Sequence, residues 1–134
     1  MGKSYLLDTH CLMWYQGDHP RLPKKIKELI EDPNKSIYFS QINLYEIAIK
    51  QKIGKLPSFK SNIRQVYDQA IKDDFIMLNI TNDHLIAFEN IPLIEDHRDP
   101  FDILLIATAH EENLIILTND DKFLLYPELV KCLW

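Results

Sequence analysis

Glycine is scarce in this chain: three residues in 134. No glycine-rich loop can therefore be drawn to cradle a phosphate, and with seven scattered prolines a collagen-like or low-complexity chain is excluded. The two cysteines, Cys11 and Cys132, are too few for a disulfide scaffold and lack metal-ligand spacing, so they read as small buried hydrophobes. Long apolar runs are missing as well. Ile103–Ala109 and Leu114–Leu117 fall far short of the ~20 residues a membrane helix needs, and Met1-Gly2-Lys3-Ser4 opens no signal peptide. A soluble, cytoplasmic protein without membrane contact is the expectation. Cations are outnumbered, 15 Lys and Arg against 20 Asp and Glu, for a net charge of −5. That balance argues against a broad basic nucleic-acid platform, but not against an enzyme whose acidic site is neutralised by divalent metal. What is present suffices for a core: 46% hydrophobic and 26% charged residues, in a length that fits one domain over 1–134.

Apolar patterning alternates between short continuous runs and helical periods. Tyr5-Leu6-Leu7 closes on Asp8-Thr9, and Cys11-Leu12-Met13-Trp14 continues as a helix. Pro23 opens a second helix to about Glu31, and Ile37-Tyr38-Phe39 is a second strand. Ser40 caps a long helix with Ile42, Tyr45, Ile49 and Ile53 on its apolar stripe, stopped at Gly54. A helix over Ser61–Lys72 turns Ile63, Val66, Tyr67, Ala70 and Ile71 inward. Phe75–Leu78 is a strand, and Thr81 starts a helix holding Leu85, Ile86 and Phe88. Asp99-Pro100 begins a helix that is apolar almost all round and therefore buried. Leu114–Leu117 has the continuous apolarity of a parallel strand covered on both faces, a short helical segment lies around Phe123, and Leu129–Leu133 is a last edge strand. Strands alternating with helices predict an α/β fold on a mainly parallel sheet.

In such sheets ligands bind beyond the carboxyl ends of the strands. Asp8 follows the first strand and Asp120 the last buried one, so both leave the same edge. Glu46 lies in the helix after the second strand, and Asp102 starts the most apolar helix. Taken singly, Asp8, Asp99 and Asp120 read as helix caps, each worth about 1 kcal/mol. Glu46 has only an i,i+4 pairing with Lys50 as its plain explanation. As a set, four carboxylates from four segments repel one another unless a cation sits among them. Hard oxygen donors suit Mg²⁺ or Mn²⁺, which points to metal-dependent phosphodiester cleavage. His97-Arg98-Asp99 mimics a kinase catalytic loop, but position 104 is Leu where that motif needs Asn. A dehalogenase-type phosphatase would need an acid where His10 stands, and His10, His84 and His110 have no zinc spacing.

Several stretches together resemble PIN-domain ribonucleases, and more narrowly the VapC-like toxins of bacterial toxin–antitoxin pairs. They are Tyr5-Leu6-Leu7-Asp8-Thr9-His10, Tyr45-Glu46-Ile47-Ala48-Ile49-Lys50 with Gly54-Lys55-Leu56, His97-Arg98-Asp99-Pro100-Phe101-Asp102 with Leu105-Ile106-Ala107, Leu117-Thr118-Asn119-Asp120, and the ending Tyr126-Pro127 with Trp134. The likeness spans the whole chain. Ile103 and Thr108 depart from the family's pattern, which places a basic and a longer polar residue there.

The resemblance implies a PIN-like three-layer α/β/α sandwich with a four- to five-stranded, mainly parallel sheet. It implies an Mg²⁺- or Mn²⁺-dependent endoribonuclease whose catalytic and metal-binding acids are Asp8, Glu46, Asp102 and Asp120. Thr118, and with it Thr9, would orient them. Lys50 and Arg98, with Lys52 and Lys55, would meet RNA as a basic rim. The implied partners are an RNA substrate, a cognate antitoxin and a second copy in a homodimer. Leu12, Met13, Trp14 and Tyr15 would line the antitoxin's groove. A catalytically inactive PIN-like binding module and a housekeeping PIN nuclease without an antitoxin are the alternatives.

Overall fold

The computed structural model describes residues 3–134. Its elements follow in the order β1 (Ser4–Leu7), α1 (Thr9–Gln16), α2 (Lys24–Ile30), β2 (Ser36–Ser40), α3 (Gln41–Lys52), α4 (Ile63–Lys72), β3 (Ile76–Leu78), α5 (Asn82–Glu89), α6 (Pro100–Glu112), β4 (Ile115–Leu117), a 3₁₀ segment Asp121–Leu125, and β5 (Lys131–Leu133). The five strands form one sheet in the order β3-β2-β1-β4-β5, and every pairing is parallel. The expected architecture is thus present, and the sheet is wholly parallel. Among the described residues no helix is long and apolar enough to cross a membrane.

Side-chain alternation along the strands divides the interior in two. Tyr5, Leu7, Ile37, Phe39 and Leu117 face α1, α2 and α4 through Leu12, Ile26, Val66 and Ala70. Leu6 and Ile116 face the other way, onto α5 and α6 through Ala87, Ile103, Leu105 and Ile106. Residues two apart on a strand share a face, so the sheet becomes the middle of three layers. α3 belongs to both interiors, giving Ile42 to the second and Ile47 to the first.

Local chemistry marks the element ends as the sequence predicts. Ser40 accepts from Ile42 N at 3.0 Å, and Asp99 accepts from Phe101 N at 2.9 Å with Pro100 beginning the helix. α3 ends on Gly54 at φ 73°, with Gly54 N donating to Gln51 O and Lys55 N to Lys50 O. That paired closure needs the left-handed region, which glycine enters without steric cost.

Helix facing departs from expectation in three places. On α3 the buried positions are Ile42, Asn43, Glu46 and Ile47, while Tyr45 and Ile53 are exposed. On α4 Ile71 is exposed, and on α5 Leu85 and Ile86 are exposed while His84 and Ala87 are buried. His84 is satisfied there: its ring accepts from Thr81 N at 3.2 Å and meets Glu112 at 2.7 Å. Apolar period alone could not see that α3 and α5 turn polar residues inward.

The packing predicts an asymmetry. Leu105 is 1% exposed and Ile86 59%. Leu105→Ala should destabilise the protein by about 2–5 kcal/mol in urea unfolding, and Ile86→Gln should stay within about 0.5 kcal/mol.

Candidate active site

Parallel pairing of β1 with β4 brings their carboxyl ends together: Leu7 is in register with Leu117, and Asp8 N donates to Leu117 O at 3.2 Å. Asp8 is buried and caps α1, with Oδ1 accepting from Cys11 N at 2.7 Å. Just beyond β4, Thr118 Oγ1 accepts from Asp120 N at 3.0 Å, and Asp120 Oδ1 accepts from Lys122 N at 3.0 Å to start the 3₁₀ segment. Each of these acids therefore is a cap, as its position predicts. Capping engages one oxygen of each, and Thr118 also bonds the Asp8 carboxyl.

Glu46 reaches the same edge from α3 and is 4% exposed. Thr9 Oγ1 donates to its Oε1 at 2.6 Å and Lys50 Nζ to its Oε2 at 2.7 Å. Thr9 is held in turn by Asn43 Nδ2 at 3.1 Å, which also donates to Leu7 O at 3.2 Å, while Asn43 Oδ1 accepts from Ser40 N at 2.7 Å. Asn43 went unnoticed in the sequence. Its signal was an Asn three residues after the capping Ser40, on a helix face that buries it completely.

Asp102 completes the set from the first turn of α6. Its Oδ2 lies 3.2 Å from His97 Nε2, and His97 Nδ1 lies 3.0 Å from the Tyr126 hydroxyl. His97 and Tyr126 are both buried. Neither was assigned a role from sequence, although both stand within the motifs that carry the resemblance.

The acids share an electric field. Burial, followed by the negative charges of Asp99, Asp120, Glu46 and Asp8, pushes the Asp102 carboxyl up to about 8. Burial likewise raises Asp8 to about 6 against the pull of Thr118 and Cys11, with Asp120 adding to the rise. Burial works against the charge on Lys50, but the hydrogen bond and charge of Glu46, with Asp99 and Asp102 behind it, raise its pKa overall. Lys50 thus points into the acids instead of standing on a free rim, whereas Arg98, Lys52 and Lys55 are exposed. Burial, then Lys122, keep the His97 imidazole below its ordinary value.

The surroundings of the acids are mostly packed. Leu12 and Met13 are buried, and Trp14 and Tyr15 are half-buried. Trp14 packs within rings of His10, His19 and Trp134 at centroid distances of 5.6, 5.5 and 5.9 Å, and part of its surface and of Tyr15 stays exposed. Ile103 is 2% exposed, so a basic residue at that position of this chain would face the core. A groove of about 620 Å³ exists, but it lies at the opposite edge of the sheet, against Ser4, Ile115 and Lys131, and holds none of the acids.

The residues can be tested against a divalent cation. Among the described residues no three His, Cys, Asp or Glu side chains stand as a finished ligand cluster. The donor chemistry fits nonetheless: carboxylate oxygens from four segments, two of them raised by crowding and burial, which a hard cation would relieve.

The family model of the PIN domain matches residues 5–129. This chain belongs to the PIN domain family. PIN domains are in general nucleases, hydrolases of phosphodiester bonds. This PIN domain is similar in fold to solved toxin–antitoxin structures. VapBC2 from Rickettsia felis, bound to a DNA fragment from its promoter, has a TM-score of 0.67 at 18% identity, over 98% of each chain. DNA-bound VapBC from Salmonella typhimurium has a TM-score of 0.64 at 16% identity, over 99% of this chain and 98% of that one. VapBC-1 from nontypeable Haemophilus influenzae has a TM-score of 0.63 at 17% identity, over 97% and 96%. No curated protein matches in sequence.

The raised carboxyls carry a pH prediction. An Asp whose folded value lies above 3.8 holds its proton more firmly in the native protein than in the unfolded chain. Its stabilisation is fully present below about pH 4 and is lost as pH rises through about 6 for Asp8 and about 8 for Asp102. Metal-free protein should therefore lose stability between pH 5 and 8 in urea titrations. Asp102→Asn, with no charge to gain, should lose less; equal slopes would refute the assignment.

Proposed function

We propose that this PIN domain is a divalent-metal-dependent endoribonuclease and the toxin of a toxin–antitoxin pair. The observation that carries the reading is Asp102, whose carboxyl is pushed up to about 8 by burial and by the acids from three other segments. Buried like charges held this close are expensive for a fold to keep, and they become favourable when a cation joins them. Asp8, Glu46, Asp102 and Asp120 would hold Mg²⁺ or Mn²⁺. When bound, the ion would supply an acidified water and charge stabilisation at the phosphoryl group.

The chain's own contributions are orientation and charge. The Thr9 hydroxyl holds Glu46 Oε1, which presents the carboxylate from one direction only. Thr118 braces Asp120 through its backbone N–H and stands against Asp8. Lys50, paired with Glu46, would be released toward an RNA phosphate once a cation takes over that carboxylate. Arg98, exposed beside the capping Asp99, is the second phosphate contact.

A free ribonuclease would harm its own cell, and the solved structures of similar fold are of VapBC pairs. An inhibitory antitoxin is therefore the proposed partner, with homodimerisation of the PIN domain and a cytoplasmic location. Both alternatives are outcomes of the same experiment, in which purified protein is assayed on RNA with Mg²⁺, Mn²⁺ or EDTA and co-expressed with the neighbouring small protein. Cleavage abolished by EDTA, with co-purification of the neighbour, is the expected result. No cleavage with either metal indicates a binding module; cleavage without a partner indicates a housekeeping nuclease.

Asp8→Asn, Asp102→Asn and Asp120→Asn should each lower cleavage by at least about 100-fold while the fold persists, as judged by circular dichroism. Lys50→Glu or Arg98→Glu should weaken RNA binding and reduce the slope of log affinity against log salt by roughly 0.7 for each lost contact. An unchanged slope would remove that residue from the interface.

A further inference from the structure

The pair His97 and Tyr126 is buried, polar and not used by the chemistry above. Both residues are 2% exposed. The His97 ring lies between two partners, Tyr126 Oη at 3.0 Å from Nδ1 and Asp102 Oδ2 at 3.2 Å from Nε2. With Asp102 ionised, as a bound cation would hold it, the carboxylate can only accept, so Nε2 carries the hydrogen and Nδ1 accepts from the tyrosine hydroxyl. That arrangement uses both ring nitrogens. Turning the ring over would set C–H groups against both partners, so one orientation and one tautomer are selected.

We propose that His97 is a positioning residue for Asp102: clamped by Tyr126, its ring takes Oδ2 and fixes how the carboxylate meets the cation. Among the described residues the ring is the side-chain donor to Asp102, and Oδ1 is left to the acid cluster. The clamp also reaches the fourth acid. Tyr126 closes the 3₁₀ segment that Asp120 begins, so the hydrogen bond from Tyr126 through His97 to Asp102 ties the segment carrying one acid to the side chain of another. A ligand held by a second group is pre-oriented, and partners of this kind commonly change metal affinity 10- to 100-fold when removed. The inference rests on the reading of Asp102 as a metal ligand.

The test is binding of Mn²⁺ alone to the metal-free full chain, with free ion counted by electron paramagnetic resonance and folding followed by thermal denaturation. His97→Leu should weaken Mn²⁺ binding by about 10- to 100-fold. His97→Gln, whose amide nitrogen can stand in for Nε2, should recover binding to within a few-fold of the native chain. Tyr126→Phe should weaken binding by a smaller factor, and the His97 ring nitrogens should shift toward a mixture of tautomers in ¹⁵N NMR spectra. If His97→Leu fails to fold, Tyr126→Phe decides. Native affinity in both His97→Leu and Tyr126→Phe overturns the positioning role and leaves the nuclease reading intact. Glutamine binding as poorly as leucine reduces His97 to a packing residue and also overturns it. A native chain that binds no Mn²⁺ removes the metal reading, and the inference with it.

Discussion

Parallel strands all end at one edge, and in this chain that edge gathers negative charge. The register of β1 against β4 makes neighbours of the residues that follow them, so Asp8 and Asp120 meet as a consequence of sheet pairing. α3 and α6 then add Glu46 and Asp102 from above the same edge. Everything polar nearby answers this crowding. Lys50 offsets Glu46, Thr9 and Thr118 supply hydroxyls, the first turn of α1 supplies the Cys11 N–H, and His97 takes one oxygen of Asp102. Two carboxyls remain raised after these contributions, by burial first and by the neighbouring acids second.

The support behind the acids is as organised as the acids themselves. Asn43 links the start of α3 to the last carbonyl of β1 and to Thr9, so the two chain segments bearing Asp8 and Glu46 are cross-braced by one fully buried amide. Among the described residues no buried side-chain nitrogen or oxygen lacks a partner. A network satisfied throughout costs little to bury, and it holds one geometry because each member has a single acceptable orientation.

The sequence made the α/β alternation legible because strand runs such as Leu114–Leu117 are continuously apolar, and because Ser40, Thr81 and Asp99 sit where caps belong. The four acids were legible as a set, since the expected strand ends placed them at one edge. The inward face of α3 was not. Its apolar residues Ile42, Tyr45, Ile49 and Ile53 suggest one stripe, but the helix turns Asn43 and Glu46 inward and leaves Tyr45 and Ile53 outside. Hydrogen bonds to Asn43 and Glu46 overrode periodicity at that point. His97 and Tyr126 were hidden for another reason: their partnership spans 29 positions and has no local period. On α1, which α3 and α4 cover, Leu12 and Met13 are buried while Trp14 and Tyr15 keep part of their surface exposed.

The place of β1 in the sheet has a temporal consequence. It is synthesised before the other four strands, yet it lies in the centre, and its partner β4 begins only at Ile115. Pairings so far apart in sequence form late, because the loop they close must be ordered first. A chain interrupted before residue 115 carries Asp8, Glu46 and Asp102 but has neither Asp120 nor the neighbouring strand that aligns Asp8. Until β4 has paired, a growing polypeptide bearing three of the four acids is without the cluster.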